Sequence, residues 1–141
     1  MTNIYDTIYT IGCFDFFHEG HKKLLKTLRS RCNTLIVGVH DDNSLEKLKN
    51  LTPKQHQSHI TRINNVKTIA DHVFIICDPD PTEYIKCMIS NKHNKINACF
   101  IRANDNINFP SKQYVETKIS IEYLPYTNGV SSTEIRKKLL S

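Results

Sequence analysis

Tryptophan is absent from this 141-residue chain, glycine occurs only four times and methionine only twice. Nothing in the composition is collagen-like, repetitive or of low complexity, so fibrous and disordered architectures are excluded. No apolar run approaches the roughly 20 residues that a bilayer span needs. The start, Met1-Thr-Asn-Ile-Tyr-Asp6, lacks the basic opening and apolar stretch of a signal peptide. A cytoplasmic protein without membrane attachment is the expectation. The cysteines (Cys13, Cys32, Cys77, Cys87, Cys99) include no C-x-x-C pair, which argues against a zinc site or a redox pair. They read as small side chains in a reducing compartment. Dense Lys/Arg tracts are missing too: the net charge of +5 is dispersed and not interleaved with aromatics. That excess suits an anionic partner, but its dispersal speaks against nucleic acid and fits a polyphosphate equally well.

What is present is enough for one hydrophobic core, since 39% of the residues are hydrophobic. The length is that of one domain, taken here as residues 1–141. Short apolar runs at Ile8 to Ile11, Thr34 to Val39, Val73 to Ile76, Ala98 to Ile101 and Ile119 to Leu124 predict strands. The middle ones are apolar enough to be covered on both faces. Amphipathic stretches lie between them. Lys22 to Ser30 puts Leu24, Leu25 and Leu28 on one face, and Ile60 to Ala70 does the same with Ile63, Val66 and Ile69. A third helix opens at Pro81, and a fourth spans Ser131 to Leu140. Asp42 to Ser58 reads as a mobile polar loop with a short helix around Leu45 to Leu51. This alternation predicts an α/β, Rossmann-like, doubly wound parallel sheet of about five strands with helices on both faces. Ligands of such sheets sit at the carboxyl ends of the strands, by helix N-termini.

The first strand-to-helix junction carries the strongest signal. It reads Gly12-Cys-Phe-Asp-Phe-Phe-His-Glu-Gly-His21. His18 and His21 are three apart and share a face at a helix start. The helix end adds free N–H groups and the positive end of its dipole. Gly12 and Gly20 remove side chains where a phosphate must come close. A metal pair is the competing reading, but no third ligand lies nearby.

This stretch resembles the H-x-G-H signature of the cytidylyltransferases, a family within a wider nucleotidyltransferase superfamily, and most closely that of the glycerol-3-phosphate cytidylyltransferases. The resemblance makes His18, His21 and Lys47 the expected catalytic residues. It adds Gly12, Cys13, Phe14 and Gly20 to the nucleotide site and Asp15 to the substrate site. The last junction, Tyr126-Thr-Asn-Gly-Val-Ser-Ser-Thr133, is similar to the family's phosphate-gripping stretch R-T-E-G-I-S-T-T. Thr127, Gly129, Val130, Ser131, Ser132 and Thr133 match in kind. Tyr126 stands where the family has arginine, and Asn128 where it has glutamate. An arginine at a phosphate site supplies a strong charge-assisted contact. Arg136, Lys137 and Lys138, further along the helix, are read as facing solvent.

Between the junctions, Leu45-Glu-Lys-Leu-Lys49 resembles the family's lysine-bearing loop. Lys47 would contact substrate and Lys49 nucleotide, as mobile loop lysines can when a loop closes. Arg62 matches an arginine at a helix start and is assigned to the nucleotide. Asp42 matches an acidic position. Ala103-Asn104-Asp105 stands where the family has Gly-Asp-Asp, so Asp105 is carried over as a nucleotide contact. Lys86 lies one position from a substrate-binding lysine. The resemblance also implies a homodimer.

The reaction implied is attack by a substrate phosphate oxygen on the α-phosphorus of a nucleoside triphosphate. A phosphate monoester has its second pKa at about 6, so near pH 7 it needs neither a general base nor an enzyme nucleophile. Positioning and charge stabilisation remain for the protein, with Mg²⁺ bridging the phosphates. Choline recognition calls for an aromatic cage or an anion. The missing tryptophan, and Ile11 where choline-specific relatives have aspartate, argue against phosphocholine, and the resemblance then implies CTP with glycerol 3-phosphate or another polyol phosphate. ATP as donor, a non-catalytic nucleotide-binding protein, and a nucleic-acid binder are the rival readings.

Overall fold

The computed structural model describes residues 4–90, 97–103, 109, 111–124 and 132–140. Five strands form one sheet: β1 (Tyr5–Gly12), β2 (Cys32–His40), β3 (His72–Ile76), β4 (Ala98–Ala103) and β5 (Ser120–Leu124). Their order is β3-β2-β1-β4-β5 and every pairing is parallel. The expected doubly wound sheet is the one observed. Six α-helices accompany it among the described residues: α1 (Glu19–Arg29), α2 (Asp42–Lys49), α3 (His59–Lys67), α4 (Thr82–Ser90), α5 (Lys112–Glu116) and α6 (Ser132–Leu140).

The period of two along each strand feeds two cores. Ile8, Leu35, Val37, Val39 and Ile101 join Leu25 and Leu28 of α1 and Val66 of α3 on one face. Tyr9, Ile36, Ile76 and Phe100 join Ile85 and Ile89 of α4 and Val115 of α5 on the other. Burial of this kind on both faces is why the inner strands read as continuous apolar runs. At the middle of β2 the packing closes around Gly38. A Cβ there would lie 2.6 Å from Phe74 Cζ and 2.8 Å from Ile76 Cδ1.

From β1 the chain winds outward through β2 to β3, then returns across the sheet to β4 on the far side of β1. The direction reverses between β1 and β4, which is where a doubly wound sheet opens its ligand crevice.

One expectation is corrected. The segment from Asp42 is not a loop with a helix from Leu45. The helix starts at Asp42, because Asp41 caps it by accepting the Ser44 amide at 2.8 Å. The short helix α5 was not anticipated. Among the described residues no helix is long and apolar enough to cross a membrane.

Candidate active site

The crevice at the reversal is a cavity of about 420 Å³. The end of β1 and the turn after it (Ile11 to Asp15) form one wall together with His21. Leu45, Leu48 and Lys49 of α2 and His40 of β2 form another, and Pro79, Pro81, Arg102, Phe109 and Arg136 complete the lining.

The turn between β1 and α1 is unusual in its backbone. Phe14, Phe16 and Phe17 all have positive φ (54°, 62° and 35°). Bulky residues in that region carry a conformational cost, and such strain gathers at functional sites where the surroundings enforce it. Here a short 3-10 turn, Asp15–Phe17, is pinned from three sides. Asp15 is 2% exposed. One of its oxygens accepts the Gln57 amide at 2.9 Å, and the other pairs with the Arg136 guanidinium at 2.8 Å. The Phe16 amide donates to Gln57 Oε1 at 3.0 Å. Arg136 also donates from Nε to the Gln55 carbonyl at 2.7 Å and sits over the Phe16 ring. This turn delivers the chain to α1 at a fixed angle.

His18 is the N-cap of α1. Its Nδ1 accepts from the amides of Gly20 at 3.1 Å and His21 at 3.4 Å. An accepting Nδ1 puts the proton of the neutral ring on Nε2, which leaves Nε2 as a donor. The rings of His18 and His21 stack with centroids 3.7 Å apart. His21 is further enclosed by the edge of Phe14 and the face of Phe17. Burial lowers the pKa of both imidazoles. For His21 it falls to about 3, with the His18 and Lys49 charges acting in the same direction. Both rings are therefore neutral donors near pH 7, set where phosphate charge would collect. Cys13 lies on the wall, and burial pushes its thiol up. A protonated thiol is no nucleophile.

A cytidylyltransferase-like family model matches residues 9–138. The chain belongs to the cytidylyltransferase-like family. It is a nucleotidyltransferase. Glycerol-3-phosphate cytidylyltransferase of Bacillus spizizenii is 32% identical over 95% of this chain and 97% of its own length. The bifunctional protein HldE of Aliarcobacter butzleri is 38% identical over 56% of the chain, which spans only 17% of that larger protein. Among solved structures, a lipopolysaccharide core biosynthesis protein from Thermoplasma volcanium superposes with a TM-score of 0.61 at 15% identity, over 87% of this chain and 97% of its own. A protein of unknown function from Archaeoglobus fulgidus gives 0.59 at 17%, over 89% and 93%. At such identities the two structures speak for the fold alone.

Against the family pattern, the structure gathers some expected residues and not others. Gly12, Cys13, Phe14, His21 and Lys49 line the cavity, and His18 stacks on His21. Arg62 is a correction. It is wholly buried, and its guanidinium donates to the carbonyls of Gln57, Cys13 and His40 and to the Asp42 carboxylate. It ties the ends of β1 and β2 to α2 and α3. Asp15 is likewise taken by Arg136 and Gln57, so its carboxylate secures the turn. The Gly20 amide donates to His18 Nδ1. Lys47 is exposed on α2, outside the cavity lining. Lys86 stands on α4 beside Glu83, its Nζ 5.3 Å from the centre of the Tyr114 ring, away from the cavity. Asp105 and Tyr126, Thr127, Asn128, Gly129, Val130 and Ser131 lie outside the described residues. Ser132 and Thr133 open α6.

Three polar lining residues escaped the sequence reading. Arg136 turns inward, with its side chain 11% exposed, and does not face solvent. His40 and Arg102 sit at the carboxyl ends of β2 and β4. The rule that ligands gather at those ends would have pointed to both.

Proposed function

We propose that this enzyme transfers CMP from CTP to a small polyol phosphate, with glycerol 3-phosphate as the first acceptor to try, and releases pyrophosphate. The observation that carries the reading is the stacked, neutral His18–His21 pair at the start of α1, with Lys49 on the cavity wall beside it. Similarity along almost the whole length of a glycerol-3-phosphate cytidylyltransferase supports the choice of donor and acceptor.

In the proposed step an acceptor phosphate oxygen attacks the α-phosphorus of CTP. A P–O bond forms to the acceptor, the bond from the α-phosphorus to the bridging oxygen breaks, and pyrophosphate leaves with the electron pair. The histidines donate hydrogen bonds to the crowded phosphate oxygens, and Lys49 offsets their charge. No proton has to be removed from a phosphate dianion, so no base is required. Mg²⁺ would supply charge neutralisation on the triphosphate. Among the described residues no group of three His, Cys, Asp or Glu side chains is placed to hold a metal ion. Asp15, the carboxylate on the cavity wall, is already held by Arg136 and Gln57. The described residues therefore do not form a metal cage, and the ion belongs with the nucleotide in this proposal.

Pyrophosphate release, measured with CTP, ATP, GTP and UTP against a panel of polyol phosphates, tests the reading. Turnover with CTP and glycerol 3-phosphate is the expected result. Turnover with ATP alone would reassign the donor, and tight CTP binding without turnover on any acceptor would make the chain a binding protein.

A further inference from the structure

The cavity has a polar region that the transfer step leaves unused. β2 and β4 flank β1, and each contributes one polar side chain at its carboxyl end: His40 and Arg102. Both line the cavity beyond Gly12. His40 is only 5% exposed and its ring is hydrogen-bonded to the Asp78 backbone, yet its Nδ1 has no hydrogen-bond partner. A buried polar atom without a partner calls for an explanation, and in a cavity wall a ligand group is the natural one. Arg102 is braced by Phe109, with its guanidinium 5.2 Å from the ring centre. Its charge acts on both His40 and Cys13, while that of Lys49 acts on His21 and Cys13. Positive charge from Lys49 and from Arg102 therefore reaches Cys13, the first also acting on His21 and the second on His40.

We propose that Arg102 and His40 form the acceptor-selecting wall, the guanidinium taking an oxyanion of the acceptor phosphate and the imidazole a hydroxyl on the neighbouring carbon. This rests on the reading that the acceptor is an alcohol phosphate. The division of labour follows from charge. Burial, followed by the charges of Arg102 and Arg62, holds the His40 pKa at about 4. At neutral pH the ring is uncharged and suits a hydroxyl, whereas the arginine suits the anion. A site that hydrogen-bonds a hydroxyl discriminates strongly against an analogue that lacks it, because its own polar group is then left unpaired.

The test compares glycerol 3-phosphate with 3-hydroxypropyl phosphate, the same skeleton without its middle hydroxyl. The wild type is expected to favour glycerol 3-phosphate on the order of 100-fold in kcat/KM, the scale of leaving one buried polar group unpaired. His40→Ala should bring that ratio towards one, by lowering turnover of glycerol 3-phosphate. His40→Gln, which keeps a hydrogen-bonding group, should retain part of the preference. Arg102→Met should raise KM for both acceptors alike, while the calorimetric Kd for CTP stays put. Melting curves ensure that folded proteins are compared. An unchanged ratio in His40→Ala overturns the proposal. So does a loosened CTP Kd in Arg102→Met with acceptor KM unmoved, since the guanidinium would then serve the nucleotide. Absence of turnover by the wild type on every alcohol phosphate fails the reaction itself. Calorimetric binding of glycerol 3-phosphate to wild type and variants then still decides the wall, which is overturned if neither substitution weakens it.

Discussion

His18 accepts the amide of His21 through Nδ1 at 3.4 Å while stacking its ring on that of His21 at 3.7 Å. One residue therefore caps the helix and keeps Nε2 as a donor. The capping bond fixes which nitrogen holds the proton, so the tautomer that the proposed transfer would use is set by secondary structure. The histidines, the glycine between them and the helix start form one unit.

The two jobs of His18 can be separated. Asparagine is a good N-cap, so His18→Asn should keep α1 intact, whereas His18→Ala should cost about 1 kcal/mol of stability. Both variants lose the donor aimed at phosphate, and kcat should fall about 10²–10³-fold in each. Thermal melts and pyrophosphate release measure the two effects. Full turnover by His18→Asn would reduce the residue to a cap.

The buried imidazoles predict an acid-sensitive fold. Burial first, then neighbouring positive charge, lowers His21 to about 3 and His40 to about 4. An unfolded histidine takes up its proton near pH 6.5. Between those values the unfolded chain binds more protons than the native one, so stability rises with pH across the window and is lost as pH falls through it. The melting temperature should be level above neutrality and decline from about pH 6.5 to pH 4. His21→Gln and His40→Gln should each flatten that slope. A melting temperature independent of pH over this range would show that the rings protonate freely in the fold.

The sequence revealed the sheet and the histidine pair for a common reason: both are written in local pattern. Ile8 to Ile11 reads as a strand because both its faces are buried. His18, Gly20 and His21 are close in the chain as well as in space. The roles of Arg62 and Asp15 were hidden because their partners are far away in sequence. Arg62 meets Cys13 across 49 residues, and Asp15 meets Arg136 across 121. Nothing local distinguishes an arginine that faces a ligand from one that sews strand ends together. Helix α5 was missed because its five residues, Lys112–Glu116, offer only Val115 to the core, too little for a periodicity.

The Asp15–Arg136 pair should behave as a buried ion pair. Arg136→Ala removes the guanidinium from a carboxylate that is 2% exposed. Breaking a buried pair from one side costs about 3–5 kcal/mol. Asp15→Asn combined with Arg136→Met removes both charges and should recover much of that loss. A double-mutant cycle on denaturant melts measures the coupling, and additive single effects would mean that the pair contributes nothing. Turnover should fall in Arg136→Ala as well, because the pair holds the turn that aims α1.

Two glycine substitutions should fail in different ways. A Cβ on Gly38 would meet Phe74, Ile76 and Ile11 at 2.6, 2.8 and 2.9 Å, a space closed on three sides. Gly38→Ala should therefore cost about 1–3 kcal/mol of stability, as overpacked cores do, with kcat of the folded enzyme unaltered. A Cβ on Gly12 would meet the Phe14 ring first, at 2.9 Å from Cε2 and 3.1 Å from Cζ. That ring can give way, but its edge rests on His21 with centroids 5.3 Å apart. Moving it moves the imidazole, and misplacement of a catalytic group by 1 Å can cost about 100-fold in rate. Gly12→Ala should thus melt close to the wild type and lose most of its kcat. If Gly12→Ala instead keeps its rate and loses stability, the Phe14–His21 contact serves packing and not the alignment of the transfer histidine.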